Sequence, residues 1–277
     1  MNTIKPYIKA IFFLIILTIA DFLLRKGFVA SFIPFKLESN FLILFLFVLF
    51  AIFGWLVTTW FSKSDKISLG DIGISFNTKN RFEFLYGFFI GFCLWGIVSI
   101  TQALLANFSW ELRSDINYFN IVYGLIFIFI ADLGTELYVR GYALTRFKDS
   151  FGYTSAIIIM VFFVGLSSYS PNLQGELLFY AMLIPALHTI FFSIIYFKAK
   201  RLGAALGVHT GANFVTISIF DLRVAQPNQA IPPGILQPNV ELEILSLTAL
   251  QLPWVFMAII FSVAAYFWGT KLKSKKA

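Results

Sequence analysis

Eight stretches of this chain, roughly 8–24, 41–62, 84–106, 121–145, 152–168, 176–197, 203–220 and 250–268, are apolar enough to cross a lipid bilayer. A helix needs about 20 such residues to span the hydrocarbon core. Backbone N–H and C=O groups in lipid find no water, so each spanning segment must satisfy them internally, as a helix. The expected fold is all-α: a polytopic membrane helical bundle of about eight transmembrane helices, forming a single membrane domain over 1–277. Hydrophobic residues make up 59% and charged residues 13%, against about 25% charged in a soluble domain. That leaves no stretch for a separate soluble domain. The 35 phenylalanines read as bulk facing lipid.

Loop charges test the count of spans. Lys5 and Lys9 precede an apolar run in the order of a signal sequence. No small-x-small cleavage site stands out, so the segment reads as a retained first span. With the N-terminus inside, the inner segments carry Lys5, Lys9, Lys63, Lys66, Lys79, Arg81, Arg146, Lys148, Lys198, Lys200, Arg201, Lys271, Lys273, Lys275 and Lys276, which is 15 of the 21 bases. The outer segments carry five, Arg25, Lys26, Lys36, Arg113 and Arg223, and Arg140 lies within a span. Cytoplasmic loops of membrane proteins are enriched in Lys and Arg, so both termini are expected in the cytoplasm, with the protein integral to a bacterial inner membrane. The formal charge of +7 follows topology, and no nucleic-acid partner is expected. The expected contacts are membrane lipid and a membrane-anchored protein or peptide. Two long connections read as plain connectors. One is 63–83, with Gly70 and Gly73; the other is 221–249, with Pro227, Pro232, Pro233 and Pro238.

Ionisable side chains within a spanning helix are costly, and are usually paired or functional. The fourth window holds three: Asp132, Glu136 and Arg140. Residues four apart share a helix face, so these form one polar stripe, flanked by Thr135. A Glu with an Arg one turn later can be an ion pair that keeps the carboxylate ionised. The seventh window holds His209 and Asn213, also four apart, among the small residues Gly207, Gly211 and Ala212, which permit close helix packing. The sixth holds His188. At 1.5 Å per residue, Glu136 and His188 both lie about 15 Å from the inner surface and His209 about 12 Å, so the three can share one level. Asp21, Glu176 and Asp221 fall at outer ends of spans and read as interfacial. Cys93 reads as a small apolar filler, and a lone cysteine makes no intrachain disulfide. One Cys and two His cannot form a Cys/His metal cage, and no cofactor or metal is expected.

The string Thr135-Glu136-Leu137-Tyr138-Val139-Arg140-Gly141-Tyr142, followed by His209-x-x-x-Asn213, resembles the CPBP family. These are the CAAX-prenyl-protease and bacteriocin-processing membrane proteins, also called Abi proteins. Their motifs are Glu-Glu-x-x-x-Arg, Phe-x-x-x-His and His-x-x-x-Asn. A Leu-Gly-Asp-Ile-Gly segment at 69–73 adds to the likeness, which covers about 68–220 as a CPBP/Abi-like core. The resemblance implies an intramembrane endopeptidase with a cavity open to the cytosol. A motif Glu and His activate water there, and the second His and the Asn hold the oxyanion. The chain departs from the pattern twice. Thr135 stands at the first Glu, and Ser168, in Val164-Gly165-Leu166-Ser167-Ser168, stands at the second-motif His. Neither hydroxyl acts as a base at neutral pH without help. Asp132 is a possible replacement carboxylate and His188 a possible replacement imidazole. A straight helix from Lys148 would carry Ser168 about 30 Å along, far from Glu136. Either the fifth helix begins later or Ser168 is not the equivalent position.

Three functions are compatible with these residues. The first is a CPBP-like endopeptidase processing membrane-anchored, prenylated or leader-bearing peptides, with Glu136 or Asp132 as base, Arg140 tuning them, and His209 and Asn213 at the oxyanion. The second is an inactive pseudoprotease serving as a membrane regulator, immunity or binding protein. The third, an ion-coupled transporter using the acidic stripe, lacks the inverted repeat and broken-helix pair such proteins show.

Overall fold

A computed structural model of the chain describes residues 5–26, 39–75, 77–222, 231–241 and 244–268. Lys36, Arg223, Pro227, Lys271, Lys273, Lys275 and Lys276 lie outside the described residues. The described chain is a mostly α-helical bundle of α1 (Pro6–Leu24), α2 (Ser39–Ser64), α3 (Thr78–Ala106), α4 (Tyr118–Glu136), α5 (Tyr142–Ser167), α6 (Gly175–Ala199), α7 (Leu202–Phe214) and α8 (Leu247–Phe267). Two short strands, β1 (Trp110–Leu112) and β2 (Leu236–Pro238), pair antiparallel. Single π-helical turns, Leu137–Gly141 and Val215–Ile219, continue α4 and α7.

Seven helical stretches are long and apolar enough to cross a membrane, against eight windows in the sequence. The difference lies at 118–167, one stretch of 50 residues that holds the fourth and fifth windows. Within it Gly152 has φ +82° and ψ 172°, outside the helical region. Side chains make that backbone conformation costly, so glycine is the residue that turns here. The chain doubles back at this point. Tyr138, before Gly152, meets Phe163, after it, edge-on with ring centroids 5.4 Å apart.

Contacts sort the helix ends into two groups. At one end Lys9 pairs with Asp65, and Arg146 lies 3.8 Å from the same carboxylate. Nearby, Tyr142 donates to Asp65 at 2.6 Å and the Leu202 N–H donates to the Gly73 carbonyl at 2.8 Å. This end gathers the starts of α1, α3 and α7, the ends of α2, α6 and α8, and the Gly152 reversal. It also holds all eleven described bases that the sequence assigned to the inner side. At the other end Lys26 donates to the Ser167 carbonyl at 3.0 Å, and Trp110 packs edge-on against Phe220 at 5.0 Å. Its described bases are Arg25, Lys26 and Arg113. The 68–73 segment turns tightly at the basic end. There the Ser68 backbone N–H and hydroxyl both donate to Asp71 at 2.8 Å and hold its carboxyl below the usual range.

Helices α3 and α7 touch backbone to backbone. Gly87 and Gly91 on α3 face Gly203, Gly207 and Gly211 on α7, with a spacing of four on each helix. A Cβ at Gly207 would overlap the Phe84 carbonyl oxygen, one at Gly211 that of Phe88, and one at Gly91 that of Val208. In lipid, where apolar surface gains little from meeting other apolar surface, such close approach is a main source of helix association. Trp95 on α3 stacks on Phe192 of α6 at 5.8 Å and extends the contact. Gly207→Ala and Gly211→Ala are each expected to lower stability by about 1–3 kcal/mol, the usual cost of overpacking. Gly96→Ala, whose Cβ would meet the Val215 side chain at 3.9 Å, should leave stability unchanged or higher. Unfolding of the purified protein in detergent micelles reads both outcomes.

Candidate active site

The acidic stripe of α4 meets the His209–Asn213 face of α7. Glu136 Oε1 accepts from the Arg140 guanidinium one turn later and lies 2.8 Å from His209 Nδ1. Asn213 Nδ2 donates to Asp132 Oδ1 at 2.7 Å, and His209 Nε2 is 3.5 Å from the same oxygen. The helices run antiparallel here, so a spacing of four on each yields two rungs, Asp132–Asn213 and Glu136–His209. Glu136 is fully buried, and Asp132 and Arg140 nearly so. The Phe192 ring stacks on the His209 imidazole at 4.8 Å, and the Arg140 guanidinium carbon sits 4.9 Å from that same ring. One oxygen of each carboxylate, Asp132 Oδ2 and Glu136 Oε2, has no hydrogen-bond partner among the described residues. A π-helical turn that holds Arg140 follows Glu136, and another, Val215–Ile219, comes soon after Asn213. Such turns are frequent at functional sites.

A cavity of about 900 Å³ opens beside this cluster, with Arg140, His209 and Asn213 on its wall. Asp132 and Glu136 stand behind them and do not line it. Thr135, Ser168 and His188 line the same space. The Gly152 reversal explains how Ser168 arrives. The helix leading to it starts after residue 152, so Ser168 lies about 22 Å from the turn rather than 30 Å along a straight helix. Among the described residues neither hydroxyl at the two departing motif positions hydrogen-bonds to a carboxylate or an imidazole. Thr135 accepts from Arg25 Nη1 at 2.7 Å and donates to the Ala131 carbonyl at 3.0 Å. Ser168 donates to the Val164 carbonyl at 2.8 Å. His188 is buried with ring centroids 5.2 Å from Trp95 and 5.6 Å from Trp254, and its Nε2 has no partner among the described residues.

Asp21, in the last turn of α1, is buried on the cavity wall, 2.6 Å from Arg25 Nε. Phe192, read as part of the lipid-facing bulk, packs the imidazole. Its position four residues after His188 was the available signal. Arg25 carried no such signal, because its partner Thr135 is 110 residues away. A second, mostly apolar chamber of about 460 Å³ shares Ile184, Pro185, Asn213 and Trp254 with the first. Among the described residues no group of three or more His, Cys, Asp and Glu is placed to hold a metal ion. Asp21, Lys26, Ser170 and Asn172, at the end opposite the basic one, are among the residues that line the first cavity.

Removing Arg140 leaves Glu136 buried beside an uncompensated gap, which typically costs about 3–5 kcal/mol. Arg140→Ala is expected to destabilise the protein by that order, and adding Glu136→Gln should recover part of the loss. Denaturant unfolding of the single and double variants in micelles measures the coupling.

Residues 117–215 match the family described as Type II CAAX prenyl endopeptidase Rce1-like. No curated protein and no solved structure matches the chain. The matched region runs from the start of α4 to the end of α7 and includes both rungs, the Arg140 ion pair and the Thr135 and Ser168 positions. Over residues 117–215, which hold the whole polar cluster, the chain matches the CPBP, or Rce1-like, CAAX protease family.

Proposed function

We propose that the chain is an intramembrane endopeptidase of the CPBP type, acting on a membrane-anchored, prenylated or leader-bearing peptide. The observation that carries this reading is the Glu136–His209 hydrogen bond of 2.8 Å beside a cavity. His209, rather than Glu136, is the base in this reading, because the imidazole reaches the cavity and the carboxylate behind it does not. Glu136 accepts the Nδ1–H and fixes the tautomer, leaving the Nε2 lone pair free to take a proton from water. Asp132, near Nε2, and Glu136 stabilise the imidazolium that forms. The resulting hydroxide attacks the scissile carbonyl. Arg140 and the remaining N–H of Asn213 offer donors to the oxyanion. The proton then passes from His209 to the leaving amine, giving a free carboxylate and a free amine. His188 supplies a second imidazole on the same wall.

A second reading is favoured by Thr135 and Ser168. Both hydroxyls are spent on backbone carbonyls at positions where the family carries its Glu and His. A chain without those groups would hold a membrane partner without cutting it. Reconstituted protein and a membrane-anchored peptide reporter separate the two. On the peptidase reading, His209→Ala and Glu136→Gln each lower cleavage about 100-fold or more, while the protein still elutes as a folded species. Cleavage that survives both substitutions rejects the proposed site. A wild-type protein that crosslinks the reporter but never cuts it supports the inactive relative.

A further inference from the structure

A groove beside the start of α3 has no part in the active-site chemistry. Its volume is about 340 Å³, near the lower end of the range of about 300–1,000 Å³ typical of ligand pockets. Its apolar wall is built by Trp55 of α2, Phe84 and Leu85 of α3, Phe129 and Leu133 of α4, and Leu206 of α7. Phe84 and Phe129 pack edge-on at 5.5 Å. Leu85 and Phe129 are exposed, so in a membrane-spanning bundle the groove opens onto hydrocarbon. Its other end is polar, formed by Ser75 before α3 and by Asn80 and Arg81 in the first turn. Asn80 Oδ1 accepts from the Gly203 backbone N–H at 2.9 Å and ties this end to the start of α7. Glu83, two residues after Arg81, is held through both oxygens by Arg201. Arg81 is exposed and makes no ion pair among the described residues.

We infer that this groove is a phospholipid site, in which one hydrocarbon chain lies between α2, α3, α4 and α7 and the phosphate meets the Arg81 guanidinium. The lining is apolar along its length and cationic at one end, which matches a phospholipid rather than a free anion. A guanidinium presents a planar fork of donors that suits phosphate, and basic pockets between spanning helices are a recurring site for lipid headgroups. Lys79 stands exposed beside Arg81, and Arg201 neutralises Glu83. The local charge is therefore positive and favours an anionic headgroup over a zwitterionic one. Arg81 is the fourth residue of α3, at an end of the bundle, which is headgroup level on whichever side of the membrane that end lies. No residue lines both this groove and the polar cavity, so the site stands apart from the proposed peptidase chemistry. Helices α4 and α7, which carry the polar rungs, are two of its walls, so an occupied groove braces them.

The test titrates full-length protein in detergent micelles with phosphatidylglycerol or phosphatidylcholine and counts bound lipid by native mass spectrometry, with inorganic phosphate as a soluble competitor. One phosphatidylglycerol is expected to bind about fivefold or more tightly than phosphatidylcholine, the scale of one Arg beside an anionic lipid. Arg81→Gln should remove that preference. Leu85→Trp, which fills the groove, should weaken both lipids by about fivefold or more on the same scale. Lys63→Gln, at an exposed base of the same end that does not line the groove, should bind as the unaltered protein does. Thermal melts of the lipid-free variants check folding, and the exposed Arg81 carries the test on its own where Leu85→Trp fails to fold. Unchanged binding in Arg81→Gln overturns the inference. Equal losses in Lys63→Gln and Arg81→Gln also overturn it, because they indicate diffuse charge attraction. Displacement of the lipid by millimolar inorganic phosphate does the same, because a ligand held by its hydrocarbon chain does not exchange for a bare anion.

Discussion

Two carboxylates and a guanidinium buried midway through a lipid-spanning bundle constrain everything around them. Each ion taken out of water costs several kcal/mol unless a partner at close range offsets it. Arg140 meets Glu136 from within the same helix, but Asp132 and the rest of Glu136 need donors from elsewhere. His209 and Asn213 on α7 provide them at 2.8 and 2.7 Å. Helices α4 and α7 therefore cannot be separated, or rotated toward lipid, without exposing charge to hydrocarbon.

The polar rungs require α7 to sit deep within the bundle, and its glycines make that possible. Gly207 and Gly211 let the α3 backbone press against α7 on the side facing away from α4, where a single methyl group would collide with a carbonyl. One thin helix thus serves two surfaces, one packed by absence of side chains and one joined by hydrogen bonds. Phe192 closes the third side, stacking on the imidazole and lying beside the Arg140 guanidinium. The imidazole still reaches the cavity.

The recess that forms the cavity is walled by the last turns of α1 and α5, by α6 and by the polar face of α7. Arg25 fills part of that recess and reaches the Thr135 hydroxyl, where the family pattern has a carboxylate. Its charge is balanced by Asp21 at 2.6 Å. The two buried acids, Asp132 and Glu136, stand behind the wall of this cavity.

Hydropathy, the four-residue spacing of Asp132, Glu136 and Arg140, and the matching spacing of His209 and Asn213 are all local properties. The sequence by itself therefore determined the helical membrane fold, the polar faces and the small-residue face of α7. Ser168 was misplaced by depth because helix length was counted through a glycine whose φ is +82°. Periodicity carries no sign of where a chain reverses. Asp21, Arg25 and Phe192 were illegible as site residues because their roles depend on partners on other helices. Only the tertiary structure decided that the acids lie behind the imidazole and that the two departing motif positions share its cavity. Those are distances between helices, set by close packing and charge pairing over residues far apart in the chain.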